Sequence, residues 1–219
     1  MYTCEMRENE EPKTIATTRT TTTNMNIDMD KYKKINSKTN NVELYKQKNI
    51  DNDGYFIRFS IKNDKYDLEQ LIETSIINML KEFNKDLLED FIIEENEAKD
   101  AGTIMIYLHS PNKDMGISKK FIEASFTVEK KDSVILFKCS SSSSSFPTND
   151  VLIKNNQKYK KITLENFEAH IDCRNKHDCS FSMCFNIDIH EDLPIYMLNM
   201  RGIMIAKICN NLKTFIEAF

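Results

Sequence analysis

The chain has 219 residues, 40% hydrophobic and 29% charged, with a net charge of −4, which allows a sizeable core and gives no global pull toward nucleic acid or anionic lipid. No run of about 18 apolar residues occurs, so no membrane-spanning helix is expected. MYTCEMRENEEPK lacks the apolar segment of a secretory signal, Tyr2 stands where myristoylation needs glycine and FIEAF has no prenylation cysteine, so a cytoplasmic protein with six free thiols is expected.

Residues 1–30, with TTRTTTTNMN at their centre, hold too few apolar side chains to offset the entropy of ordering them, and a disordered polar leader is expected before a domain at 31–219. VELYKQKNI (42–50) and YFIRFSIK (55–62), separated by DNDG, read as a hairpin, because Asp53 and Gly54 tolerate the positive φ of a tight turn. An amphipathic helix follows, with Leu68, Leu71, Ile72, Ile76, Met79, Leu80 and Phe83 at helical spacing and Asp67 as N-cap.

Six strand-like runs come next, at 90–98, 103–110, 120–130, 133–140, 162–173 and 179–190. In the last, Phe181, Met183, Phe185, Ile187 and Ile189 alternate with polar residues, so one face is buried and the other wet. Six serines, Ser140 to Ser145, followed by Phe146-Pro147, read as a loop inside the domain. The chain finishes in a long helix, with Asp192 placed to cap it, Pro194 in its first turn and an apolar stripe through Leu198, Ile205, Ile208, Cys209, Leu212 and Ile216. The pattern predicts an α+β fold: two strands, a helix, six strands in antiparallel succession and a terminal helix covering the apolar face of a curved sheet. Periodicity alone leaves open whether the space beneath is a solid core or a cavity.

CSFSMCFNIDIHEDLPIYMLNMRGIMIAKICNNLKTFI resembles the end of START domains, the lipid-transfer family of the steroidogenic acute regulatory protein. Leu193, Pro194, Leu198 and Asn199 match the places where the family's last strand passes into its last helix. Upstream, Phe83-Asn84 stands for the family's Trp-Asn, and Ile117-Ser118-Lys119-Lys120-Phe121 meets its run of serine, any residue, arginine, aspartate and aromatic. The resemblance implies the helix-grip fold shared by START and Bet v 1-like domains, a curved antiparallel sheet wrapped around the C-terminal helix, with one lipid sheltered in a tunnel between them. It further implies intracellular lipid transfer by a monomer in transient contact with membranes, with no cofactor and no nucleic acid partner.

Lipid-contacting candidates follow from that picture. Alternation offers Ile122, Ala124 and Phe126; Ile135 and Phe137; Phe167, Ala169 and Ile171; and Phe181, Met183 and Phe185 as wall, while the helix offers Leu198, Ile205, Cys209 and Leu212. Lys119, without arginine's planar fork, stands at the arginine's place, and Tyr107 and His109 are further polar candidates. Arg201, one turn from Leu198 and Ile205, is either the tunnel's internal cation or, the plainer reading, a rim residue that snorkels, and Gly202 beside it serves either lid motion or close packing. At the turn from Glu129 to Asp132, Lys130 and Lys131 are candidates for meeting lipid phosphates, and ordinary surface charge is the plainer reading.

Two rival functions stand beside lipid carriage. Helix-grip enzymes keep His, Tyr and carboxylates in their tunnels, which draws attention to Tyr107, His109 and Glu123, although alternation puts Glu123 outside and no Gly-x-Ser-x-Gly elbow, P-loop or dinucleotide fingerprint occurs. The other rival is a protein-interaction domain with a vestigial cavity. The cluster HIDCRNKHDCSFSMC (170–184) suggests zinc, but period two divides it: Cys173 and Cys179 point inward with Phe181 and Met183, whereas His170 and Cys184 point outward. Four ligands so divided cannot converge on one ion, so no metal is expected.

Overall fold

Alternation of apolar and polar residues governs the strands of the computed structural model, which describes residue 25 and residues 27–35, 42–48, 54–110, 118–141, 151–188 and 199–219. A 3-10 turn, Met29–Lys31, capped by Asp28, leads into β1 (Tyr32–Ile35). There follow β2 (Glu43–Gln47), β3 (Gly54–Lys62), α1 (Leu68–Phe83), β4 (Leu88–Glu95), β5 (Ala101–Leu108), β6 (Lys119–Lys131), β7 (Val134–Ser140), β8 (Val151–Lys154), β9 (Gln157–Asn175), β10 (Asp178–Asp188) and α2 (Met200–Ala218). The strands form one sheet in the order β1-β2-β3-β10-β9-β7-β6-β5-β4, with β8 paired to β9. The start of the last helix at Asp192 and Pro194, most of the serine tract and most of the leader lie outside the described residues.

The expected hairpin, first helix and six later strands are present, and two strands, β1 and β8, were not expected. The succession is also not purely antiparallel, because β6 pairs in parallel with β9, Lys119 to Ile122 against Tyr159 to Ile162. Lengths explain this. β7 has only 7 residues and pairs with β6 from Ser125 to Lys131, which leaves the start of β6 open on that edge. β9 has 19 residues and runs past β7 to complete the backbone hydrogen bonds there.

Asp67 caps α1 as expected, accepting from the backbone N–H groups of Glu69 and Gln70. At the other end Asn84 is fully buried. Its side-chain nitrogen donates to Leu80 O at 2.9 Å, its backbone oxygen accepts from Leu87 N and Leu88 N, and its Oδ1 accepts from Asn211 Nδ2 of α2 at 3.0 Å. One residue therefore ends the first helix and ties it to the last, with Phe83 stacked on Phe215 beside it.

The buried stripe of α2 runs through Gly202, Ala206, Cys209, Leu212, Lys213 and Ile216. Lys213 donates to Ser60 O and pairs with Glu217, Glu217 accepts from Lys62 N, and Asn63 Nδ2 donates to Ile216 O at 2.6 Å. These bonds fasten the end of α2 to β3 and the turn after it. At the start of α2, Gly202 lies against Tyr55 so closely that a Cβ there would come within 2.6 Å of the ring. Close packing is what this glycine provides. Because Tyr55 is only 1% exposed, its ring has nowhere to yield. We expect Gly202→Ala to destabilise the fold by about 1–3 kcal/mol despite alanine's better helix propensity, and Tyr55→Leu to relieve most of that cost. Urea unfolding of the two single variants and the double variant checks this; unchanged midpoints for Gly202→Ala would contradict it.

Candidate functional site

Every strand from β3 to β10 except β8 turns alternate apolar side chains toward α1 and α2, where they join one hydrophobic cluster with Leu68, Ile72, Ala206, Cys209, Leu212 and Ile216. The expected wall residues Ile122, Ala124, Phe126, Ile135, Phe137, Phe167, Ala169, Ile171, Phe181, Met183 and Phe185 all belong to it, as do Ile205, Cys209 and Leu212 of α2. Leu198 lies outside the described residues. Within this face runs a row of rings. Phe126 stacks on Phe137 (centroids 5.4 Å apart), Phe137 meets Phe167 edge-on (5.9 Å), Phe167 stacks on Phe185 (6.3 Å) and Phe185 on Tyr55 (5.4 Å). The row crosses β6, β7, β9, β10 and β3 and ends beneath Gly202, so the helix rests on its last ring. Each contact contributes roughly 0.5–1.5 kcal/mol beyond area burial.

Burial along this face is uneven. Ala124, Phe126, Ala169 and Phe185 are buried, whereas Ile106, Leu108, Ile122, Phe137, Phe167 and Ile205, which face the same way, are only partly so. The inward face therefore grades from fully buried side chains to apolar ones that keep some accessible area while packing against the same cluster.

Two bulges hold the inward set together. In β9 the register with β10 slips between Asn186 and Ile187, which inserts Glu165 and lets Ile162 and Leu164 face inward together with Phe167, Ala169 and Ile171. In β4 a slip between Leu88 and Asp90 inserts Glu89, so Leu88, Phe91 and Ile93 face one way while Glu89 and Asp90 both join groups on the other face.

Three expected ligand contacts are corrected. Tyr107, His109 and Lys119 do not reach the inward face. On β5 it is Ile104, Ile106 and Leu108 that enter the main cluster, and Tyr107 packs with Phe121, Tyr159, Met105 and Leu152 on the opposite face. Lys119 donates to Glu89 at 2.6 Å and lies near the Tyr159 ring, while His109 Nδ1 is 3.7 Å from Glu89. Lys154 of β8 sits 3.8 Å over the Tyr107 ring and bonds Asp90, which also meets Lys81. These paired charges fasten the β8–β9 hairpin onto the outer face. Glu123 is outward as expected, 3.5 Å from Lys161.

The register of β6 with β5 runs unbroken from Lys120 to Thr127, so the inward residues of β6 are Lys120, Ile122, Ala124, Phe126 and Val128. Lys120 is 5% exposed. It was absent from the sequence-derived contacts, as was Tyr55, yet counting back by twos from Ile122 reaches Lys120 and passes over Lys119. Arg201 is half-buried and donates to Ile187 O at 3.3 Å, at the junction of α2 with β10. Lys130 is engaged by Glu69 and Glu73 of α1, which hold its ammonium pKa above the usual range, so its charge serves the helix and not an outer surface.

Cys173 and Cys179 are inward and buried, with Phe181 and Met183, while Cys184 faces Phe56 and Glu168 across its neighbouring strands. Contact with Cys173 and burial raise the Cys179 thiol, and burial raises Cys139 to about 11 and Cys209 to about 12. All three remain uncharged at neutral pH and line the face as small apolar groups. Among the described residues no helix is long and apolar enough to cross a membrane.

The architecture, a large sheet gripping a C-terminal helix, is a helix-grip fold. More particularly, it is the fold of START domains. The lipid transfer and protein localization domain of human StarD13 is 10% identical, with 86% of this chain and 90% of that one covered, at a TM-score of 0.63. Human STARD10 is 9% identical over 85% of this chain and 73% of its own, at 0.65, and human StAR-related lipid transfer protein 5 is 12% identical over 87% and 90%, at 0.61. At these identities the likeness is one of fold. No family model matches the chain, and no curated protein matches it by sequence.

The outer network makes stability depend on acidity. Lys154, with help from Phe91 N–H, lowers Asp90 from 3.8 to about 2. Burial acts to raise Glu89, but bonds from Lys119 and Tyr159 outweigh it and the net shift is downward. Groups lowered on folding contribute stability that is complete above their unfolded pKa and lost as the pH falls through the folded one. The melting temperature is therefore expected to drop between about pH 4 and about pH 2, and to drop less in Asp90→Asn. Thermal unfolding across that range, followed by circular dichroism, checks both; parallel curves would remove Asp90 from the network.

Proposed function

We propose that this chain shelters one lipid between its sheet and α2 and carries it between membranes. The observation that supports this most directly is the set of partly accessible apolar side chains, Ile122, Phe137, Phe167 and Ile205, on the inward face of a helix-grip fold. Each methylene moved from water to such a lining gains about 0.8 kcal/mol, so a long chain needs few directed contacts to be held. The printed descriptions of two structural neighbours, lipid transfer and protein localization domain and lipid transfer protein, agree with this reading. The enzymatic alternative is weakened by the outward positions of Tyr107, His109 and Glu123, the three residues it singles out. Loading and release need transient contact with a membrane.

Native mass spectrometry of the purified chain is expected to show one lipid per protein, and fluorescent-lipid movement between vesicles is expected to accelerate when the chain is added. Ile205→Trp, placed on α2 where the lining is only partly buried, is expected to abolish both with little change in melting temperature. A protein that stays empty in the presence of vesicles, or an Ile205→Trp variant as active as the parent, would overturn the proposal.

A further inference from the structure

Two thiols meet on the inward face at the end of the sheet that receives α1. β9 and β10 pair Asn175 with Asp178 and Asp172 with Ser180, so two residues of β9, Cys173 and Arg174, stand opposite one residue of β10, Cys179. Such a bulge leaves room for only one of the two against the facing side chain. Arg174 turns outward, where its guanidinium bonds Asp172, and Cys173 is left against Cys179 in the buried cluster. The two side chains are in hydrogen-bonding contact, and they are 1% and 0% exposed. Directly opposed residues of antiparallel strands lie about 4.5–5.5 Å apart at Cα, inside the range of about 4.4–6.8 Å that a disulfide spans. No other pair among the described cysteines is placed this way: Cys139 stands opposite Phe126 and Phe167, Cys184 opposite Phe56 and Glu168, and Cys209 is on α2.

The hairpin end that joins them carries other elements. Lys176 O accepts from Leu68 N at 2.7 Å and His177 O from Asn63 N at 3.1 Å, and His177 Nδ1 lies 3.0 Å from Asn63 O. On the other side Cys173 N donates to Ser133 O at 2.9 Å. The first turn of α1, the turn after β3 and the β6–β7 turn therefore all rest on residues 173–179. Neither sulfur can be attacked while this segment stays packed. Because the two oppose one another, a parting of the hairpin end that bares one bares both.

We propose that Cys173 and Cys179 form a reversible disulfide when a peroxide meets the opened hairpin end, locking β9 to β10 beneath the start of α1. The peroxide takes two electrons from one sulfur: its O–O bond breaks, an S–O bond forms, and water leaves to give a sulfenic acid. The second sulfur then attacks the first. The S–S bond forms, the S–O bond breaks, and the hydroxyl leaves as water with the second thiol's proton. A thiol reductant returns both cysteines to thiols by exchange. This site needs no lipid and stands independently of the carrier reading.

The test uses the full chain, shown to be folded by circular dichroism, exposed to hydrogen peroxide in native buffer, then alkylated with iodoacetamide in urea and digested with trypsin. Arg174 and Lys176 lie between the two cysteines, so a bridge is expected as two joined peptides, with Cys184 of the second one alkylated, and is expected to disappear on treatment with dithiothreitol. The bridged chain is expected to melt about 5 °C above the reduced one, because the link closes a short loop in the unfolded chain. In Cys173→Ala the joined peptides are expected to be lost and Cys179 to proceed to sulfinic acid. Cys179→Ala gives the reciprocal reading should the first variant not fold, and Cys209→Ala is expected to bridge like the parent. A parent whose cysteines all stay open to alkylation, a predominant bridge between any other two cysteines, or a bridged chain that melts no higher than the reduced one would overturn the proposal.

Discussion

The rest of this structure depends on how α2 is held across the inward face of the sheet. A face that collects Tyr55, Ile57, Phe59, Phe126, Phe137, Phe167, Phe181 and Phe185 cannot be left to water, and α2 bears on it from two ends by different means. Near its start the contact is steric, a glycine against a tyrosine ring. Near its end the contact is polar, with Lys213 and Glu217 reaching backbone atoms of β3 and Asn63 reaching back to the helix. Between these fastenings the helix presents Ile205, Cys209 and Leu212 to the lining.

The sheet answers with its own division of labour. Its inward face is aliphatic and aromatic, continuous from β6 to β3 through stacked rings, and its outward face around β4, β5, β8 and β9 is a mesh of lysines, carboxylates and two tyrosines. The inserted residues Glu89 and Glu165 make this separation possible, because each shifts the alternation of a strand by one and returns the apolar residues beyond it to the inward side. Without them Leu88 or Leu164 would stand opposite to the other inward residues of its strand. Stability against acid and apolar packing against the helices are thus assigned to opposite faces of the same strands.

Much of this was legible in the sequence wherever a period ran uninterrupted. The alternation from Cys179 to Ile187 fixes which side chains of β10 face inward, and the stripe from Leu68 to Phe83 with Asp67 before it marks α1 from cap to end. Legibility failed where geometry depends on partners remote in sequence. β1 and β8 are four residues each and gain their strand character from β2 and β9. The parallel run of β9 beside β6 follows from the shortness of β7, which no local pattern records. Asn84 resembles an ordinary helix end until Asn211, 127 residues away, is placed against it. The polar contacts were misassigned for a different reason. Tyr107, His109 and Lys119 stand out by chemistry and by likeness to a motif, while period two separates Lys119 from Ile122 on the same strand.

The inward thiols have a consequence of another kind. Cys139 lies on β7, Cys173 on β9, Cys179 on β10 and Cys209 on α2, so they sample four separate elements around one hydrophobic cluster. Each is shut away from bulk solvent, and so each is silent toward electrophiles for as long as its element stays packed. A chain built this way carries its own set of gauges for breathing. Which thiol first becomes addressable identifies the seam along which the shell parts.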